Sequence, residues 1–349
     1  MKLLVVLARP PHPEGGAADR TAVGLLLGLE ANGVEVSALA ARPPQWPYDS
    51  PAELGVEVVD VPAGDDWRSR LTRIRRPLGA LAHGAFGERV RAVAAKVDAV
   101  HLETIDTVWC DTGVTVPSGL HMHYVARADR RGSLADAEYV LAERLALRRY
   151  AHLIASSESV AAVLGQNVTT MRLSLDPRGY EPARLEDPVA GIIGTAAWAP
   201  TARAVARLQS DVWPRVRELV PQARLRVAGR GFEEVPSSAE FLRSLSVLLY
   251  PLESGTGAKV KTLEAIASGV PVVTTPAGAD GIAQSEGVIV ASTSADLADA
   301  TARLLLDADE RRRRGAAARE TFLAAHAPEV ATRSLVQLYE RLSADSSSR

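Results

Sequence analysis

The chain has 349 residues, 47% of them hydrophobic and 23% charged, which excludes a disordered or membrane-embedded chain and leaves room for two domains of roughly 150–200 residues each. Forty Lys and Arg residues face 42 Asp and Glu, so no general excess of positive charge exists to grip nucleic acid. Cys110 is the single cysteine, which excludes an intramolecular disulfide and a thiolate metal cluster, fits a reducing compartment and makes the cytoplasm the expected location.

Residues 3–8 form a short apolar run stopped by Arg9-Pro10-Pro11. It falls far below the ~20 residues of a membrane helix and lacks the cleavage site of a signal peptide, so it reads as a strand buried on both faces of a parallel sheet. After Gly15-Gly16 a helix is expected, with Val23, Leu26, Leu27 and Ala31 as its apolar stripe and Asn32-Gly33 as its close. Residues 34–40 follow as a second strand, which completes a βαβ unit and places the glycine pair at the carboxyl edge of the sheet. Further strands are expected at 56–61, 97–103, 120–125 and 152–156, with helices around 88–96 and 134–150. Breakers from Asp176-Pro177 to Asp187-Pro188 mark a linker. The alternation then restarts, with strands at 189–194, 224–228, 247–252, 271–275 and 288–290 and helices at 201–220, 238–245 and 259–267. From 295 to 342 the pattern is helical and broken by Pro328. Its run Arg311 to Arg314 reads as a solvated face rather than a nucleic-acid patch.

The most informative stretch is Gly255-Thr256-Gly257-Ala258-Lys259-Val260-Lys261-Thr262, set between a strand and a helix that carries Glu264. Glycines there allow a ligand to approach the backbone, and amides at the start of the helix suit a diphosphate. Lys259 and Lys261 add positive charge, and Glu264 has the position from which acidic side chains hold ribose hydroxyls. A third glycine of the dinucleotide fingerprint is absent, as is the spacing of the triphosphate P-loop.

This stretch resembles the donor-site signature of family 4 retaining glycosyltransferases of the group 1 type, in the sub-group with a Gly-Thr-Gly-x-Lys-x-Lys loop. The resemblance extends to Gly15-Gly16 with Arg20, Val100-His101-Leu102-Glu103, His121-Met122-His123, Ser156-Ser157-Glu158, Trp198-Ala199-Pro200, Val212-Trp213-Pro214 and the segment from Ala223 to Gly229. It implies a GT-B fold: α/β, with two Rossmann-like doubly wound domains facing each other across a cleft. The expected divisions are an acceptor-side domain at 1–180, a donor domain at 181–325, and a C-terminal helix within 326–349 that packs back toward the first domain.

By the same resemblance, backbone amides around Gly257 to Lys259 meet the donor sugar, those of Val260 to Thr262 meet the phosphates, Glu264 binds ribose, and His123 contacts the sugar near the reacting carbon. Gly15 and Gly16 approach donor phosphate and acceptor, with an ordinary strand-to-helix turn as the alternative. The family's first motif glutamate is replaced here by Thr256, and its Arg and Lys pair for the diphosphate is not visible in residues 195–201. Lys259 or Lys261, with Arg230, is expected to supply the compensating charge. His121 is the weaker competitor to His123, and Glu103 stands at a strand end where it would bond an acceptor hydroxyl or cap the chain.

The expected activity is transfer of a sugar from a nucleotide-diphosphate donor, UDP-linked first and GDP- or dTDP-linked as alternatives, to a small-molecule or glycan acceptor. No tightly bound cofactor and no nucleic acid are expected, and a lipid acceptor would imply peripheral membrane association of the monomer or homodimer. A sugar-nucleotide 2-epimerase and a non-catalytic nucleotide-sugar-binding subunit are the rival readings. Asp307-Ala308-Asp309 has the letters of a metal motif but lies in an arginine-rich helical region. No set of His, Asp or Glu shows metal-ligand spacing, so no metal is expected.

Overall fold

In the computed structural model, which describes residues 1–62, 76–130, 133–165 and 167–347, the chain divides into two α/β units. One is Met1–Ser174 with Pro328–Arg349, the other Leu175–Ala327.

In the first unit β1 (Lys2–Leu7), β2 (Glu35–Arg42), β3 (Val56–Asp60), β4 (Ala99–Glu103), β5 (Ser118–Met122), β6 (Leu153–Ala155) and β7 (Val168–Thr170) form a parallel sheet in the order β3-β2-β1-β4-β5-β6-β7. Leu3 to Leu7 are each at most 2% exposed because both faces of β1 are covered. Leu4 and Val6 pack with Leu102, Leu120, Phe86 and Val90 on one side. Leu3 and Val5 pack with Val23, Leu26, Leu335 and Tyr339 on the other. Such side chains each contribute about 1.5–3 kcal/mol on burial. The strand order reverses between β1 and β4, which opens a crevice beyond their carboxyl ends.

Three expectations need correction in this unit. Ala31 is exposed and Leu27 only half-buried, while Leu25 and Leu29 are buried. Helix Ala17–Ala31 is wrapped on a second side by the C-terminal segment, so that a Cβ at Gly28 would come within 2.2 Å of the Pro328 carbonyl oxygen. The strand placed at 120–125 ends at Met122, because Val125 turns the chain into the short helix Ala126–Asp129. β7, too short and polar to show as an apolar run, forms an edge strand beside β6.

In the second unit β8 (Val189–Ile193), β9 (Arg224–Ala228), β10 (Val247–Tyr250), β11 (Val272–Thr274) and β12 (Val288–Val290) are parallel in the order β12-β11-β10-β8-β9, with the reversal between β8 and β10. The helix expected at 201–220 is observed as Ala199–Arg207, a π turn at Leu208–Val212, and Trp213–Leu219. Pro214, which has no N–H to give, sits at the junction. The arginine run is not uniformly solvated. Arg311 is 2% exposed, and its guanidinium donates to the carbonyls of Leu304 and Leu305 at the end of helix Ser294–Leu306 and to those of Leu185 and Glu186. It satisfies carbonyls that the helix end leaves open. Arg312 and Arg313 pair with Asp309, Glu310 and Glu286 on the surface. Among the described residues no helix is long and apolar enough to cross a membrane.

Candidate functional site

Beyond Tyr250 the chain leaves β10 at the edge where the second sheet reverses order. Gly255 and Gly257 adopt φ of +129° and +80°, a region L side chains rarely enter. Lys259 folds back so that Nζ donates to the carbonyls of Thr256 at 2.8 Å and Gly257 at 2.7 Å, which closes the loop on itself. A Cβ at Gly281 would lie 2.4 Å from the Ala258 Cβ, so the turn around 278–281 supports the loop directly. Thr262 Oγ1 donates to the Gly278 carbonyl at 2.8 Å. Helix Val260–Ala267 opens at once, and the amides of Val260 to Thr262 have no carbonyl one turn back within it.

Glu264 is fully buried in that helix. Its Oε1 accepts from Ser238 Oγ at 2.6 Å and Tyr180 Oη at 3.1 Å, and its Oε2 accepts from Lys261 Nζ at 3.0 Å. Such a carboxylate is fixed in direction and matched in charge. Tyr180 and Ser238 are site residues that the sequence did not disclose. Tyr180 lies 84 positions away in a stretch read as linker, and its only signal was an aromatic among breakers. Arg230 lies exposed after β9, where its carbonyl accepts from the Ala196 amide at 2.9 Å. A Cβ at Gly229 would come within 2.0 Å of the Gly194 carbonyl, so the turn after β9 is pressed onto the end of β8. Among the described residues the Arg230 guanidinium has no ion-pair partner.

In the first unit, Gly15 and Gly16 precede helix Ala17–Ala31 at the edge beyond β1. Asp19 Oδ2 already accepts the Gly16 amide at 2.6 Å, and Arg9 Nε lies 3.1 Å from Asp19 Oδ1. Burial raises the Asp19 carboxyl above its ordinary value against the pull of Arg9.

His123 stands just past β5, its carbonyl held by Ser156 Oγ at 2.8 Å and its Nε2 2.7 Å from Glu103 Oε1. Glu103 Oε2 also meets His101 Nε2 at 2.8 Å and His121 Nδ1 at 2.9 Å, and His101 Nδ1 lies 3.0 Å from Tyr339 Oη. Burial works against the Glu103 charge, but His121 and His123 beside it and the bonds from His101 and His121 hold its carboxyl well below the usual range. Burial pushes His121 down to about 4, so at neutral pH it is an uncharged imidazole. Its proton then sits on Nδ1 toward the carboxylate, and Nε2 is buried with no partner among the described residues.

His101, Glu103 and His121 bring ligand-type atoms within 4.8 Å of one another, a grouping in space that the search for spacing along the chain did not find. The set comes from two adjacent strands, paired Glu103 to His121, so no spacing along the chain reveals it. Asp307, by contrast, caps a helix, its Oδ1 accepting the Glu310 amide at 2.9 Å. A cavity of about 590 Å³ lies in this unit beyond β1 and β4, bordered by Arg9, Asp19 and Glu103.

Residues 187–307, which contain β8 to β12 and the whole Gly255-to-Glu264 stretch, match the family described as glycosyl transferases group 1. No curated protein matches the chain by sequence. Among solved structures, the chain is similar to HepE of Anabaena, solved in complex with UDP and glucose, at TM-score 0.62 and 13% identity over 96% of this chain and 98% of that one. It is similar to a variant of TarM from S. aureus, in complex with fondaparinux, α-GlcNAc-glycerol and UDP, at TM-score 0.68 and 8% identity over 97% and 100%. It is also similar to WaaG, a glycosyltransferase involved in lipopolysaccharide biosynthesis, at TM-score 0.62 and 14% identity over 97% and 99%. The two parallel-sheet α/β units are those of the GT-B fold.

Proposed function

We propose that the protein is a glycosyltransferase that moves a sugar from a UDP-linked donor to a hydroxyl of a small-molecule or glycan acceptor, with retention of configuration and without a tightly bound cofactor or metal. The observation that carries this is the buried Glu264 carboxylate, held by Ser238, Tyr180 and Lys261 beside an open helix start. It lies inside the segment that matches group 1 glycosyl transferases. HepE of similar fold is solved with UDP-glucose, which supports uridine ahead of the GDP and dTDP alternatives.

In this proposal Glu264 receives ribose hydroxyls, and the amides of Gly257 and Ala258 meet the sugar. Those of Val260 to Thr262 meet the diphosphate, whose growing charge they stabilise as preorganised dipoles. Lys259, Lys261 and Arg230 supply the positive charge. Lys259 Nζ, which donates to the carbonyls of Thr256 and Gly257, makes a charge-assisted bond to a phosphate in this proposal. His123, set in direction by Glu103, contacts the sugar near the reacting carbon. The acceptor hydroxyl attacks that carbon as the bond to the diphosphate breaks, and the leaving phosphate oxygen takes the hydroxyl proton.

The test is the melting temperature with UDP, GDP, dTDP and ADP, each with and without a chelator, on the natural chain and on Glu264→Gln. A ligand at 100 times its Kd adds about 2.7 kcal/mol of apparent stability. A chelator-insensitive shift with UDP, lost in Glu264→Gln, is the expected result. No shift with any nucleotide would sink the proposal, and the anomeric configuration of the product by NMR tests retention.

A further inference from the structure

The C-terminal helix Arg333–Ser347 belongs to the first unit and carries one polar group deep into its core. Tyr339 is fully buried and packs with Leu3, Val5, Leu26 and Leu335. A phenylalanine would fill that apolar space as well, so the hydroxyl calls for partners of its own. It lies 3.0 Å from His101 Nδ1 and 3.3 Å from the Val100 carbonyl oxygen. Room for it is made at Gly119, which faces His101 across β4 and β5: a Cβ there would come within 2.7 Å of Tyr339 Oη.

His101 and Glu103 are two apart on β4 and share a face, so the ring that meets Tyr339 through Nδ1 meets Glu103 Oε2 through Nε2 at 2.8 Å. An ionised carboxylate only accepts, which requires the His101 proton on Nε2. Nδ1 then presents its lone pair to Tyr339, whose O–H has a proton to give. His121, paired with Glu103 across the strands, donates from Nδ1 to the same Oε2 at 2.9 Å. Two donors thus occupy Oε2, and Oε1 is left for His123 Nε2 at 2.7 Å. The His123 side chain is 14% exposed against 4% for Glu103 and none for His101 and His121, so the bonds run from the core outward to the one ring that a ligand can reach.

We propose that Tyr339 is a positioning residue for His123, acting through His101 and Glu103. Its hydroxyl pins His101 with the proton on Nε2, and this keeps Glu103 turned so that its second oxygen holds the His123 ring in one tautomer, with Nδ1 as the nitrogen offered to a ligand. Without the hydroxyl, His101 Nδ1 is buried facing no donor. Moving the proton onto Nδ1 relieves that, but sets a bare Nε2 against a carboxylate oxygen and turns Glu103 away from His123. The inference rests on the transferase reading for what His123 touches, whereas the tautomer is read with no donor or acceptor present.

The test is proton–nitrogen correlation spectroscopy of the full chain with isotope-labelled histidine rings at neutral pH, the signals of His123 being assigned through His123→Gln. The natural chain is expected to show His101 and His123 protonated on Nε2 and His121 on Nδ1. Tyr339→Phe is expected to lose the single His123 tautomer and give a mixture, with the UDP melting shift kept as evidence of an intact fold. His101→Leu, which breaks the series at its next member, is expected to do the same. Ser334→Ala is the control: Ser334 Oγ donates from the same helix to the Thr170 carbonyl at 3.1 Å, and its loss loosens the helix without touching the rings. His101 protonated on Nδ1 in the natural chain, a His123 tautomer unchanged in both Tyr339→Phe and His101→Leu, or the same mixture in Ser334→Ala would overturn the proposal. The expected tautomers without any UDP melting shift would overturn the transferase reading and leave the link from Tyr339 to His123 standing, whereas a UDP shift with His123 unmoved would overturn only that link.

Discussion

In the first unit Glu103 closes β4 and collects His101, His121 and His123; in the second, Glu264 lies within the first helix after β10 and collects Tyr180, Ser238 and Lys261. Both carboxylates are almost wholly buried, and both stand near the point where their sheet reverses strand order. The partners differ in kind. His121 changes charge only at about 4, whereas a lysine ammonium and two hydroxyls keep theirs throughout the acid range. The same solution to a buried charge therefore ties the first unit to pH through His121 and holds the carboxylate of the second in a fixed direction.

The sharpest way to break this comparison is to remove each hub. Glu103→Ala leaves the ring nitrogens of His101 and His121 that faced it buried without an acceptor and opens a cavity beside them, and is expected to cost about 3–5 kcal/mol. Glu264→Ala leaves a lysine whose side chain is 23% exposed and can turn to water, and is expected to cost about 2 kcal/mol. Calorimetry of both variants checks the order, and an equal or reversed loss would remove the distinction.

Acid should separate the units next. His121 takes up its proton below about 6.5 in the unfolded chain but only near 4 in the fold. Its contribution is complete above pH 6.5 and is lost as pH falls toward 4. Glu103, depressed below its ordinary value of 4.5, adds a loss in the same direction at still lower pH. The urea midpoint of the first unit should fall between pH 7 and pH 4.5, and His121→Gln should flatten that dependence. A slope unchanged by the substitution would place the acid sensitivity elsewhere.

The smallest expected effect comes from Arg230→Ala. An exposed guanidinium without an ion-pair partner among the described residues contributes little to the fold, so stability should stay within about 0.5 kcal/mol. UDP affinity measured by calorimetry should nevertheless fall about three- to tenfold if Arg230 meets the diphosphate. Unchanged affinity would leave that charge to Lys259 and Lys261 alone.

What could be read directly from the residues was whatever repeats along the chain. Apolar runs such as Leu3 to Leu7, the glycines at 255 and 257 and the breakers around Pro177 announce strands, a loop and a boundary, because each depends on local backbone and burial patterns. The order in which strands lie beside one another was not legible in that way. That order pairs Glu103 with His121, sets Tyr180 on Glu264 across 84 positions, and turns Arg311 inward onto the open end of a neighbouring helix. Local sequence decides which segments are strands and helices, since propensity and periodicity act over a few residues. Only tertiary packing decides which polar groups share a buried site, since a buried charge must find partners wherever the fold brings them.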